Sequence, residues 1–152
     1  MNKKAQFYII AAVVLIAITF GLFAEKKTIS KPDRTFRELV DNYVAEAPFA
    51  ANSGMLEDFT LKFYDFALSK DSNFEMMYLY ISDDNVSAFS LVKSTIFINQ
   101  YNLTFNRSLV FQKTNEAVVS IGTEQYAINT TSDGLKTIFI SQKENSRNVK
   151  IV

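Results

Sequence analysis

Cysteine, histidine and tryptophan are all missing from this 152-residue chain, and only two prolines and four glycines occur. Without cysteine there is no disulfide, no thiolate nucleophile and no thiolate-bound zinc, and nothing marks the redox compartment. Without histidine the commonest metal ligand and the usual general base near neutral pH are gone. The four glycines are scattered, so no loop is built to cradle a phosphate. Sixteen basic and sixteen acidic residues cancel, so no overall charge draws the chain to nucleic acid. The expectation is a protein that is not an enzyme, with no catalytic residue, no cofactor, no metal and no nucleic-acid partner.

Charge is uneven along the chain: residues 1–31 carry five Lys and one acid, 33–84 four basic and eleven acidic residues, and 85–152 seven and four. Net values of +4, −7 and +3 follow from those counts. Such blocks are solvated faces first, and they also offer head-to-tail complementarity between copies.

One long apolar run is present. Between Lys4 and Glu25 lie twenty uncharged residues, which as a helix extend about 30 Å, the thickness of a bilayer's hydrocarbon core. Tyr8 near one end suits the interface with its polar tip. A secretory signal has a shorter apolar stretch and small residues before its cut, whereas Leu22 here precedes Ala24. The run therefore reads as a retained transmembrane segment. Lysines flank it on both sides, with Lys3 and Lys4 before it and Lys26, Lys27 and Lys31 after it, so charge alone does not orient it.

Ahead of the run stands a very short basic leader, Lys3-Lys4-Ala5, followed at once by Gln6-Phe7-Tyr8-Ile9-Ile10. This resembles the class III signal of type IV pilin-like proteins, particularly archaeal ones, over about the first 24 residues. The resemblance implies that a prepilin peptidase cuts between Ala5 and Gln6 on the cytoplasmic side. The apolar helix then stays with the mature chain. Bacterial pilins usually carry Glu at the fifth mature position, where Ile10 stands here; archaeal relatives often lack that acid. The implied layout is a leader at 1–5, a hydrophobic helix at 6–24, a linker at 25–32 and an extracytoplasmic domain at 33–152. Such a protein is single-pass, with its amino terminus in the cytoplasm, and joins surface filaments as a homo-oligomer or with other pilin-like subunits. The alternative is an anchored extracytoplasmic binding domain that does not polymerise.

After the polar stretch EKKTISKP, Pro32 interrupts any continuous helix and Asp33 can cap the next. Typical pilins run their apolar helix straight into the globular part, and Pro32 departs from that. Apolar residues at 36, 39, 40, 43, 44 and 47 recur at helical spacing, so 34–47 is an amphipathic helix that Pro48 stops or kinks. Asn52-Ser53-Gly54 is a loop, and 55–69 is a second helix with Leu56, Phe59, Phe63, Phe66 and Ala67 on one side. That stripe is a core face first and a partner face second. Beyond Ser72 the pattern turns to strands: 74–82, apolar on both sides and so central, then 86–92, 97–105, 109–113, 117–121, 125–129 and 135–142. Ser132-Asp133-Gly134 makes a hairpin turn. The fold expected is α+β: an N-terminal transmembrane, pilin-type helix, then two amphipathic helices packed on an antiparallel β-sheet.

Chemistry-bearing motifs are few. Asp83-Asp84-Asn85-Val86-Ser87 begins like a calcium loop, but Ala88 replaces the required glycine and Ser94 the closing glutamate. Ser90-Leu91-Val92-Lys93 matches S-x-x-K on what reads as a strand, where that chemistry does not sit. Carboxylates such as Glu57, Asp58 and Asp65 lie on a helix surface with nothing to raise a pKa. Four sequons, at Asn85, Asn102, Asn106 and Asn129, are candidate N-glycosylation sites of an exported domain.

Overall fold

The computed structural model describes residues 34–143 and 146–152. The expected leader, hydrophobic helix and linker, with the cleavage position at Ala5 and Gln6, lie outside the described residues. Two helices lead: α1, Arg34–Asn52, and α2, Leu56–Lys70. Nine strands follow: β1 Phe74–Ser82, β2 Asn85–Leu91, β3 Ile96–Ile98, β4 Tyr101–Leu103, β5 Arg107–Gln112, β6 Glu116–Ile121, β7 Glu124–Asn129, β8 Gly134–Lys143 and β9 Ser146–Ile151.

The expected fold is corrected where the structure describes it. Among the described residues no helix is long and apolar enough to cross a membrane. The strands also form two antiparallel sheets rather than one: a five-stranded sheet in the order β5-β2-β1-β8-β9 and a four-stranded sheet in the order β4-β3-β6-β7. The physical reason lies in β1. Phe74, Met76 and Tyr78 point to one side, and Met77, Leu79 and Ile81 to the other, all buried. Both faces of that strand need cover. The helices cover the first face, and the smaller sheet covers the second.

Register keeps the two faces distinct. Tyr78 lies opposite Phe89 and Leu79 opposite Ala88 on β2, while Met76 lies opposite Phe139 and Met77 opposite Ile138 on β8. The chain visits the larger sheet, the smaller, the larger, the smaller and the larger again as it passes through β1–β2, β3–β4, β5, β6–β7 and β8–β9. Among the described residues three two-residue hairpin turns, Asp83-Asp84, Asn99-Gln100 and Gly122-Thr123, fit inside those visits. Each begins with a left-handed residue, at φ 50°, 53° and 65°, where Asp, Asn and Gly are the tolerated types.

Several boundaries differ from the pattern. The alternation over 97–105 is two strands, because Asn99-Gln100 reverses the chain. Ile96, Ile98 and Leu103 therefore face inward, and Phe97, Tyr101 and Phe105 are exposed. Ser132-Asp133-Gly134 is a crossing from β7 to β8 in the other sheet, not a hairpin. Its Asp133 is held by Lys113 at 2.6 Å, and that hydrogen bond keeps the carboxyl below its usual range. A strand beyond Gln142, β9, pairs with β8 from Ile138–Ile151 to Lys143–Ser146.

Pro48 does not end α1. It withholds one N–H, the partner of the Val44 carbonyl, and Val44 is exposed. The helix runs one turn further and closes in a Schellman motif, with Gly54 N–H donating to Ala51 O at 3.1 Å and Met55 N–H to Ala50 O at 2.9 Å. Gly54, at φ 71°, supplies the left-handed residue this reversal requires. Helix α2 ends on Asp71, whose N–H donates to Ala67 O at 2.8 Å. The Asp71 carboxylate, buried, accepts from Ser141 Oγ at 2.5 Å and from Asn73 N–H at 3.1 Å. That contact pins the end of α2 to β8 of the larger sheet, beside the start of β1.

Candidate functional site

A recess lies at the corner where α1 gives way to α2. Because the helix passes Pro48 and then reverses at Gly54, Phe49 and Met55 are brought to the two banks of an open groove of about 450 Å³. Ala50 and Phe59 also line it, and Glu46, Asp58 and Lys62 stand around it. Phe49 is 73% exposed, the largest value among the exposed large hydrophobic residues, and Met55 is 57% exposed. Phe59 is half-buried, its ring 5.5 Å from that of Tyr43. The Ser53 hydroxyl donates to Phe49 O at 2.7 Å, which fixes the turn between the banks.

Below the groove lies a ring cluster. Tyr43 packs edge-on against Phe63 at 5.0 Å and Phe139 at 5.4 Å, and its hydroxyl pairs with Thr60 Oγ1 at 2.8 Å. Thr60 in turn donates to Leu56 O at 2.7 Å. Burial pushes the Tyr43 phenol well above the ordinary tyrosine range, opposed by its bond to Thr60. Burial also raises Tyr64, helped by the charges of Glu75 and Asp65.

The residues singled out from the sequence fall apart in space. Ser90 is buried, and its Oγ accepts from Val92 N–H at 3.2 Å, whereas Lys93 is exposed; no serine–lysine pair forms. Asp83-Asp84 is a two-residue turn, and among the described residues no group of three or more His, Cys, Asp or Glu is placed to hold a metal. Ser141 and Asp71 are within hydrogen-bond reach but both buried, so the pair is a structural tie without access for a substrate. Of the helical phenylalanine stripe, Phe63 is buried, Phe59 half-buried and Phe66 47% exposed. The core face of α2 is rotated to Leu56, Thr60, Phe63, Tyr64 and Ala67.

All four sequon asparagines are exposed. Asn85 opens β2 beside the Asp83-Asp84 turn, and Asn102 lies on β4 opposite Phe97. Asn106 is in a left-handed turn at φ 54° and donates its N–H to Ser90 O. Asn129 ends β7, its Oδ1 accepting from Thr131 N–H at 2.8 Å and Thr131 Oγ1 at 2.6 Å. Phe49 and Met55 were visible in the sequence only as apolar residues flanking a turn, one of them just past a proline. What the groove can do follows from its chemistry: apolar walls with charges at the rim suit an apolar side chain framed by polar groups. No family model, curated protein or solved structure matches the chain.

Proposed function

We propose that the chain is a membrane-anchored surface protein of the type IV pilin-like kind, a filament subunit moored through its apolar run. One observation carries this reading: the basic leader Lys3-Lys4-Ala5 standing directly before nineteen further uncharged residues, 6–24. A helix-led α+β unit starting at Arg34, just past Pro32, supports it, since a separately packed head is what such an anchor presents. Exposed sequons suit a head that leaves the cytoplasm.

Under this proposal a prepilin peptidase removes residues 1–5 and frees Gln6. Copies then pack through the apolar run, where Ala11, Ala12 and Ala17 permit close approach. The head faces outward, with sugar on one or more of Asn85, Asn102, Asn106 and Asn129. No cofactor takes part.

Intact-mass measurement on protein purified from membranes tests it. A loss equal to residues 1–5, with filaments in electron micrographs, is the expected result. An amino terminus at Met1 or Asn2 favours the anchored binding domain that does not polymerise. A freely soluble chain beginning at or beyond Glu25 overturns both.

A further inference from the structure

Helix α2 has a second stripe besides its core face. Met55, at its N-cap, with Asp58, Phe59, Lys62 and Phe66 recur at steps of three and four, so they share one side of the helix. This side adjoins the core face of Leu56, Thr60, Phe63, Tyr64 and Ala67, with the half-buried Phe59 packed where the two meet. Met55 is 57% and Phe66 47% exposed, and Phe49 of α1 rises beside the stripe at the groove. Exposed apolar side chains grouped in this way mark a contact surface.

The order along the stripe is apolar, acidic, aromatic, basic, apolar. An isologous contact needs a patch complementary to itself, and an antiparallel match about an axis near residue 60 sets position 58 against 62 and 55 against 66. Among the described residues neither Asp58 nor Lys62 makes an ion pair, so both charges can meet a partner. We propose that this stripe is a self-docking surface, in which α2 packs antiparallel on α2 of a second copy. Asp58 meets the partner's Lys62, Met55 meets the partner's Phe66, and Phe49 is covered at the flank. The inference does not depend on the membrane anchor or on cleavage of a leader.

A single helix pair buries less than a standard interface, so the association is weak and is best caught by trapping. The absence of cysteine makes trapping unambiguous, because any introduced thiol is the only one. Full-length Met55→Cys and Phe66→Cys chains are mixed in mild detergent and oxidised gently. In the antiparallel pair, 55 lies beside the partner's 66, whereas the two 55 positions are about 16 Å apart along the helix. The mixed disulfide is expected about tenfold faster than either homodisulfide.

Adding Asp58→Lys to both chains sets like charges together and slows the mixed disulfide about tenfold. Putting Asp58→Lys on one chain and Lys62→Asp on the other restores opposite charges and recovers the rate. Equal rates for all three pairings overturn the proposal. So do faster linkage between two 55 positions, an absence of linkage, and capture of a different protein with no self-linkage. None of these readouts touches the amino-terminal mass, so failure here is distinct from failure of the anchored-protein reading.

Discussion

The larger sheet carries two unlike cores on its two faces. Toward the helices, eight of the fifteen clustered buried residues are aromatic: Phe36, Tyr43, Phe63, Tyr64, Phe74, Tyr78, Phe89 and Phe139. Toward the smaller sheet, only Phe111 among sixteen is aromatic, and Ile, Val, Leu and Ala dominate. Adjacent residues of the same strands build both, so strand propensity does not explain the contrast. Geometry does. Two sheets pack about 10 Å apart and mesh through short branched side chains. Two helical cylinders over five pleated strands leave wider clefts, which rings fill edge to face. The aromatic core is an interlocked set, whereas the aliphatic one consists of near-equivalent parts.

Truncation separates the two faces most sharply. Phe139 is fully buried and touches Tyr43 and Phe74, with ring centroids at 5.4 and 6.1 Å. Phe139→Ala is expected to lower the unfolding free energy by about 3–5 kcal/mol. Its sequence neighbour Ile140 faces the smaller sheet, and Ile140→Val there is expected to cost about 0.5–1.5 kcal/mol. Denaturant titration of both variants, with Phe139→Leu as a size control, measures the difference. If Phe139→Leu is as mild as Ile140→Val, the rings are not interlocked and the contrast fails.

A polar tie on the helix side comes next in size. Asp71→Ala leaves the buried Ser141 hydroxyl and the Asn73 N–H without their acceptor, an expected loss of about 1–3 kcal/mol. Combining it with Ser141→Ala removes the orphaned hydroxyl, so the double variant should be less unstable than the two single losses added together. Strict additivity would mean that the two side chains act separately, and that α2 is held to the sheet by apolar contacts alone.

These same residues show what the sequence made legible. Both helices, the central β1 and most strand positions follow from period and turn chemistry, because Phe36, Leu39 and Tyr43 repeat at helical spacing and Asp83-Asp84 breaks two apolar runs. The apolar pattern of β1 on both faces signalled two covers but not what the second would be. A strand's sequence reports its burial, not the sheet it joins, so the alternating visits of β3–β4 and β6–β7 to the smaller sheet were hidden. Strand β9 escaped because Arg147, Asn148 and Lys150 surround Val149, its residue packed against the aliphatic core, and leave no apolar run to read. The groove depended on Pro48 being passed, which follows only from the Schellman closure at Gly54.

Alkaline pH probes the two faces together. Tyr78, toward the helices, is pushed up to about 12 by burial and then by the charge of Glu57. Tyr126, against the aliphatic core, is also raised to about 12, by burial and then by its hydrogen bond to Glu124. In the unfolded chain a phenol ionises near pH 10. Between those values the unfolded state holds fewer protons than the native one, so stability falls as pH rises from about 10 to about 12. Below pH 10 these groups contribute no pH dependence. The denaturation midpoint, followed with tyrosinate absorbance, should decline over that window. Tyr78→Phe should flatten the decline more than Tyr126→Phe, whose ring lies at a more open edge. A midpoint unchanged between pH 10 and 12 would show that neither phenol differs from its unfolded value.

The smallest effect concerns the rim of the aromatic core. Proline inside a helix costs about 3 kcal/mol relative to alanine, yet Pro48 is exposed and stands one turn from the end of α1, where it deprives only the Val44 carbonyl. Its ring also lines a crevice of about 80 Å³ with Tyr43, Leu135, Thr137 and Val152, and it restricts the unfolded chain. Alanine restores one N–H and loses both of those contributions. Pro48→Ala should therefore change the unfolding free energy by no more than about 1 kcal/mol, with a slight gain in helical circular dichroism. A gain near the full interior penalty would mean that the final turn is strained as it stands. A loss well beyond that bound would mean that the ring is part of the interlocked set, and that the aromatic core extends to the edge of the groove.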